Sequence, residues 1–260
     1  EILNYLEDRG GLANGTNVDM LDLPVSLENL LMARVDRLDQ NSKSLLQAAS
    51  VIGRVFSGDV AGEVAELGTG TPESMTELQR VGLVQIDEQS GDYQFKHALL
   101  QDAVYGSLLT ERREGLHERT AQALEIRHAS SIGEITETLA HHYGQTPRAE
   151  KAVHYMAEAG AKSLRVYSLP EADLRLRQVV ALIETVPDCA DDTFLTDVLL
   201  QLARVNYFRA DMNGIQSLLK PHLARVEALE DPKRLADFLF ELEYSLVFGE
   251  DPKAGMALFE

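Results

Sequence analysis

From Glu111 to Glu260 the chain reads as one helix after another, separated by short polar turns, and this pattern restricts the fold more than any other feature. Breaks are expected near residues 130–131, 144–147, 168–170, 187–192, 211–214, 231–232 and 249–252. The turns at Ser168, Asp211 and Gly249 are separated by 43 and 38 residues. A spacing near 40 is that of a helical-hairpin repeat, in which each pair of helices buries its apolar face by stacking on the next pair. Ala157, Ala159, Gly160, Ala161 and Ala172 supply small side chains where paired helices must approach closely. The period is slightly longer than the ~34 residues of a tetratricopeptide unit, and no unit carries that signature in full, so the array is expected to be tetratricopeptide-like.

The first 115 residues follow another pattern, and they hold 12 of the 18 glycines. Residues 1–9 place Ile2, Leu3, Tyr5 and Leu6 on one helical stripe, stopped by Gly10-Gly11. Pro24 and a capping Ser26 precede a helix over 27–38, with Leu27, Leu30, Leu31, Val35 and Leu38 on one face. Helical signals follow at 42–52, 58–67 and 72–80, the last with Thr71 as N-cap and Pro72 at the first helical position. Short strands at 83–86 and 93–95 flank an acidic turn containing Ser90-Gly91, and a helix is expected over 97–109. Three helices followed by a hairpin describe a winged helix. The expected fold class is mainly α: a small winged-helix domain with one β-hairpin, then an α-helical repeat array. The expected domains are 1–38 (the end of a preceding helical region), 39–110 (the winged helix) and 111–260 (the repeats).

Charge bears on the partners. The 24 Lys and Arg are outnumbered by 42 Asp and Glu, for a net charge of −18, and neither half is basic: residues 1–115 carry 9 against 19 and residues 116–260 carry 15 against 23. Phosphate backbones are held by clustered cations. The helix before the hairpin has Glu73 and Glu77 against Arg80, and the wing turn has Asp87, Glu88 and Asp92, so this winged helix is expected not to bind nucleic acid. The single Cys189 has no intrachain partner, which fits a reducing compartment, and no window reaches the ~18 apolar residues of a membrane span. A cytoplasmic location without membrane attachment is the expectation. Glu1 falls inside one helical pattern and Glu260 inside another, so the chain is expected to be a piece of a longer polypeptide.

The motifs an enzyme needs are missing from the sequence: it has no G-x-x-x-x-G-K-[ST] loop, no G-x-G-x-x-G, no H-E-x-x-H and no cysteine pair. His141-His142 point about 100° apart on a helix, an awkward arrangement for one ion, and His117 and His128, eleven apart, have no evident third ligand. No metal site and no catalytic residue are expected. The segment 93–105 is more informative. The last wing strand delivers His97 to the first turn of a helix whose inner stripe is Leu100, Val104 and Leu108. There a neutral imidazole could donate to an anion beside free backbone N–H groups and the positive end of the helix dipole. A purely local capping hydrogen bond from His97 is the structural alternative.

Three blocks carry a resemblance. Leu23-Pro24-Val25-Ser26-Leu27-Glu28-Asn29-Leu30-Leu31-Met32-Ala33-Arg34-Val35-Asp36-Arg37-Leu38, then Leu45-Leu46-Gln47-Ala48-Ala49-Ser50-Val51-Ile52-Gly53-Arg54-Val55-Phe56, then Phe95-Lys96-His97-Ala98-Leu99-Leu100-Gln101-Asp102-Ala103-Val104-Tyr105 occur in order. Together they resemble the region after the ATPase core in bacterial signal-transducing ATPases with numerous domains, including adenylate/guanylate cyclase-like regulators with an AAA-type ATPase and tetratricopeptide repeats. The resemblance covers about residues 1–185. It implies an upstream ATPase domain carrying the phosphate loop and the acidic residues for Mg²⁺ and water, with residues 1–11 similar to the helix after that family's Gly-Asn-Pro turn. His97-Ala98-Leu99-Leu100 resembles the family's Met-His-Asp-type element, with Lys96 in place of methionine and Ala98 in place of aspartate. By that resemblance His97 would contact the ADP phosphate and hold a closed state.

The expected function is therefore that of a non-catalytic regulatory and interaction fragment. The winged helix would gate the ADP/ATP state, and the repeats would bind a protein or small-molecule signal. No cofactor is expected in the fragment itself, with ATP or ADP and Mg²⁺ bound by the longer protein. Two alternatives are a helical-repeat protein-binding scaffold without a nucleotide switch, and the sensor part of an ATP-dependent transcription activator. Tyr155, Tyr167, Tyr207 and Tyr244 recur through the repeats and are expected mostly to pack between hairpins.

Overall fold

A computed structural model describes residues 30–249. The expected helix over 1–9, its Gly10-Gly11 stop, Pro24, Ser26, the first residues of the helix over 27–38 and all but the first residue of the 249–252 turn lie outside the described residues. The chain divides into two compact units, Glu1–Ala123 and Leu124–Glu260.

In the first unit, residues 30–35 are helical, with Leu31 and Val35 buried, whereas Leu30, expected on the same face, is 49% exposed. Asp39 then caps α1 (Gln40–Ile52): its carboxylate accepts from the backbone N–H groups of Asn41 and Ser42, at 2.9 and 3.0 Å, and from Ser42 Oγ at 2.7 Å. Those hydrogen bonds hold the Asp39 carboxyl below its ordinary value, the Ser42 hydroxyl contributing most. Asp39→Ala is expected to cost about 1 kcal/mol. That difference should be fully present near neutral pH and fade as acid protonates the wild-type carboxylate through its lowered value, which urea unfolding at two pH values would show.

The order after α1 is β1 (Val55–Phe56), α2 (Gly58–Val64), a 3₁₀ turn at Gly68–Gly70, α3 (Thr71–Arg80), β2 (Val84–Ile86), β3 (Tyr93–Phe95) and α4 (Ala98–Gly106). The three strands form an antiparallel sheet in the order β1-β3-β2, with Phe56 opposite Tyr93 and Val84 opposite Phe95. The expected order of helices followed by a β-hairpin is present with one addition, because the two-residue β1 makes the hairpin a three-stranded sheet. A strand that short has no alternation to read in sequence; only its pairing with β3 defines it. At α3 the cap differs from expectation. Thr71 is the first helical residue, Gly70 stands at the cap, and Thr71 Oγ1 donates to the Gly68 carbonyl at 3.0 Å. The acidic wing turn is closed by Asp87, whose carboxylate accepts from Ser90 N at 3.1 Å and Ser90 Oγ at 2.7 Å, with Gly91 at a positive φ of 77°. Leu45, Leu46, Leu78, Leu83, Phe95 and Leu100 form the centre of the core, and α5 (Thr110–Arg127) adds Leu116.

The second unit is a run of packed helices: α6 (Thr136–Tyr143), α7 (Ala149–Arg165), α8 (Leu169–Thr185), α9 (Asp192–Phe208), α10 (Met212–Leu219), α11 (Leu223–Glu227) and α12 (Pro232–Val247), with α10 packed on both α9 and α12. The expected breaks fall where the helices end, and one more, a 3₁₀ turn at Lys220–His222, splits α10 from α11 at Pro221. Three turns are closed by aspartates: Asp191 accepts from Phe194 N, Asp211 from Gly214 N, and Asp231 from Lys233 N and Arg234 N. Non-glycine residues in the left-handed region end the helices at Tyr167 and Ala210, 43 residues apart, and at Asp188 and Glu230, 42 apart. Two independent sets of turns thus repeat at one period, which is a helical-hairpin array in geometry as well as in spacing. The small residues behave as expected at the α7–α8 contact. Ala159 and Ala172 are fully buried, and a Cβ on Gly160 would stand 2.8 Å from the Leu176 side chain.

Candidate functional site

In the first unit, Phe95 is buried and its N–H donates to the Arg54 carbonyl at 3.0 Å, while Lys96 N–H donates to the Leu83 carbonyl at 3.1 Å. The next residue, His97, leaves the sheet in extended conformation (φ −132°, ψ 128°) and becomes the N-cap of α4, its carbonyl accepting from Leu100 N at 3.1 Å. The imidazole is exposed and makes no capping hydrogen bond, so the local capping alternative is absent from this structure. No acidic residue occupies the first turn of α4. Burial of Leu100 and Val104 beneath and exposure of Lys96, His97 and Leu99 above follow from one amphipathic turn.

The arginine of the helix before the wing is already engaged. Arg80 Nε and Nη2 donate to the two carboxylate oxygens of Glu77, both at 2.7 Å. Arg119 reaches back to the Val64 carbonyl at 2.9 Å and lies 3.8 Å from Glu66. His117 is buried, its Nε2 3.0 Å from the Tyr105 hydroxyl; His128 is half-buried. His142 is buried, and its ring meets that of the exposed His141 at 5.2 Å.

Two side-chain clusters in the second unit escaped the sequence reading. In the first, Glu125 accepts from Tyr143 Oη at 2.6 Å, from Lys151 Nζ at 2.8 Å and from Tyr155 Oη. The two tyrosine rings stack at 5.6 Å and 5°, and the Lys151 ammonium lies 5.7 and 5.8 Å from their centres. Burial alone would raise the Glu125 carboxyl, but hydrogen bonds from Lys151, Tyr143 and Tyr155 outweigh it and hold the group below its ordinary value. Burial and the Glu125 carboxylate raise the Tyr155 phenol. This cluster is a structural tie.

The second cluster is a row of rings open to solvent. Tyr167 meets Phe208 at 5.2 Å, Phe208 meets Tyr207 at 5.7 Å, Tyr207 meets Tyr244 at 5.5 Å, and Tyr244 meets Phe248 at 4.5 Å. Tyr167 and Phe248 are 68% and 64% exposed, and Phe240 beside Tyr244 is 62% exposed. Of the recurring tyrosines, Tyr155 is therefore packed inside, whereas Tyr167 and Tyr207 are surface groups. Two clefts run along the row: one of about 580 Å³ bounded by Leu164, Arg165, Tyr167, Gln201, Arg204 and Phe208, and one of about 220 Å³ bounded by Arg204, Tyr207, Phe208, Phe240, Glu241 and Tyr244. They share Arg204 and Phe208. The signal that would have found this row is the recurrence of Tyr167, Phe208 and Phe248 at intervals of 41 and 40 residues.

Among the described residues, no helix is long and apolar enough to cross a membrane. No family model and no curated protein matches the chain. Among solved structures it is similar to a Signal Transduction ATPase with Numerous Domains (STAND) protein with a tetratricopeptide repeat sensor from Pyrococcus horikoshii, at 13% identity and a TM-score of 0.35. The match covers 89% of this chain and 38% of that one, so the chain spans well under half the length of the protein it matches.

Proposed function

We propose that this chain is a non-catalytic regulatory and interaction region of a larger signalling ATPase, its repeat array receiving a partner along the row of rings. The carrying observation is the continuity of that row. Rings in the turn after α7, on α9 and on α12 touch one another and border two clefts. Large contiguous apolar surface is costly to leave in water and marks an interaction site far more often than scattered exposed side chains do. A photo-crosslinking residue placed at Phe208 or Phe240 in the full-length protein is expected to yield a discrete adduct in the host cell. The same residue at Leu174, an exposed position on α8, is expected not to. Equal, diffuse labelling at all three positions would remove this reading.

The winged-helix unit supplies the second half of the proposal. An exposed His97 at an uncapped helix start can donate to an ADP phosphate held by the ATPase domain, so that the closed state retains ADP until the repeats bind their signal. Signal binding must favour the open state by its differential affinity for the two forms. His97→Ala in the full-length protein is expected to speed release of a fluorescent ADP several-fold and raise basal output. Unchanged retention and output would rule out the sensor role, leaving the repeats to act as a scaffold.

A further inference from the structure

The chemistry of the partner follows from the arginines of the repeat array. Among the described residues of α7 to α12, Arg175 pairs with Glu171, Arg177 and Arg209 pair with Asp173, Arg225 pairs with Asp192, and Arg234 pairs with Asp197 and Asp231. Arg165 and Arg204 make no ion pair within 4.0 Å with any described residue, and these two border the same cleft. Among the described arginines of α7 to α12 these two are the ones outside ion pairs, and both border one cleft, with Glu241 acting on Arg204 beyond ion-pair distance. The wall between them is aromatic, Tyr167 and Phe208. The amide oxygen of Gln201, another wall residue, is buried and has no hydrogen-bond partner.

Beyond the shared Arg204 the second cleft changes character. Its rim is mostly ring, with Tyr207, Phe208, Phe240 and Tyr244, and its one acid, Glu241, is held above its ordinary value by burial, with Arg204 opposing and Asp237 adding to the shift. The two clefts therefore present a cationic recess beside an aromatic one, joined through Arg204 and Phe208.

Resting on the interaction reading above, we infer that the occupant is a peptide segment of a partner protein carrying an Asp or Glu side chain next to a large apolar or aromatic one. The carboxylate would take charge-assisted hydrogen bonds from Arg165 and Arg204. The apolar side chain would enter the ring-lined cleft, and a peptide N–H would supply the donor that the Gln201 amide lacks. Guanidinium groups suit this use because they present several donors in one plane and also pack flat on aromatic rings. A basic or neutral peptide would bring no carboxylate to these two arginines.

The probe for this is a random twelve-residue peptide library displayed on phage and panned against the chain, with affinities of selected peptides then measured by fluorescence anisotropy. The selected peptides are expected to share an Asp or Glu beside Phe, Tyr, Trp or Leu. Exchanging that acid for its amide is expected to weaken binding about tenfold, and raising salt should weaken it further. The variant Arg165→Gln/Arg204→Gln, with unchanged circular dichroism, is expected to lose the difference between acid and amide peptides. Selected peptides without an acid, or an acid preference that survives in the double variant, would overturn the inference. If such acid-free peptides still depend on Phe240, the interaction reading stands while the acidic specificity fails; if no peptide is selected, or the binder is a second copy or a terminal segment of this chain seen by sedimentation, the partner inference fails outright.

Discussion

Phe95→Ala is expected to destabilise the first unit by about 3–5 kcal/mol, the ordinary cost of removing a fully buried phenyl ring. The ring is 1% exposed and packs 5.5 Å from Phe56, so the cavity would open between β1 and β3, where a two-residue strand has little else to hold it. Neighbouring side chains can collapse only partly into such a space. The effect should be local to the unit: amide exchange in α1 and β3 is expected to accelerate by roughly a hundredfold or more, since 1.4 kcal/mol is a factor of ten, while exchange in α7 and α8 changes little. A loss under 1 kcal/mol would show that the Phe56–Phe95 contact is not the centre of this core. Because His97 is only two residues further on, the same substitution should also loosen the start of α4 and mimic part of the His97→Ala effect on ADP release.

Glu125→Ala is expected to cost the repeat unit about 2 kcal/mol, and more than Glu125→Gln. Three donors converge on one carboxylate, and its loss removes the acceptor shared by the Tyr143 and Tyr155 hydroxyls, while the half-exposed Lys151 ammonium turns to water. Glu125→Gln keeps the shape and should lose less, about 1 kcal/mol, because the charge assistance goes while some hydrogen bonding stays. The pH dependence separates the two effects. The folded carboxyl titrates below its ordinary value of 4.5, so its stabilisation is complete above that value and is lost as pH falls through the lower folded one. Wild-type protein should lose stability in that acid window relative to the Glu125→Gln variant, whose side chain does not titrate. Parallel stability curves for the two proteins between pH 3 and 7 would contradict this account of the cluster.

Both predictions concern places where sequence reading reached different depths. The order of elements was legible because helix ends carry their own chemistry: Asp39, Asp191, Asp211 and Asp231 accept backbone N–H bonds within three residues, and such signals are local. The repeat period was legible for the same reason, since each turn repeats its own short-range solution. Helix starts and interruptions set by geometry were less visible. Thr71 donates to Gly68 instead of accepting as a cap, and Pro221 converts one expected helix into α10, a 3₁₀ turn and α11. Leu30 shows the limit of periodicity, for a residue at the edge of an apolar stripe may face either way, and only packing decides.

What the sequence alone determined about this protein is its local grammar: helices followed by a β-hairpin, a helical-hairpin array with a period near 40, a strong acidic excess and a histidine delivered to a helix start. Those follow from turn chemistry and residue spacing over a few positions. The tertiary structure decided which side chains meet. Glu125 joins Tyr143 and Tyr155, 18 and 30 residues away, and Tyr167, Phe208 and Phe248 line up over 81 residues. It also decided which arginines lie together, because Arg165 and Arg204 are ordinary helix-surface residues in sequence and become neighbours only when α7 and α9 share a cleft. Long-range juxtaposition depends on how far each helix is rotated against its neighbours, and a rotation of one residue, about 100°, would turn an aromatic row into a scattered set of exposed rings.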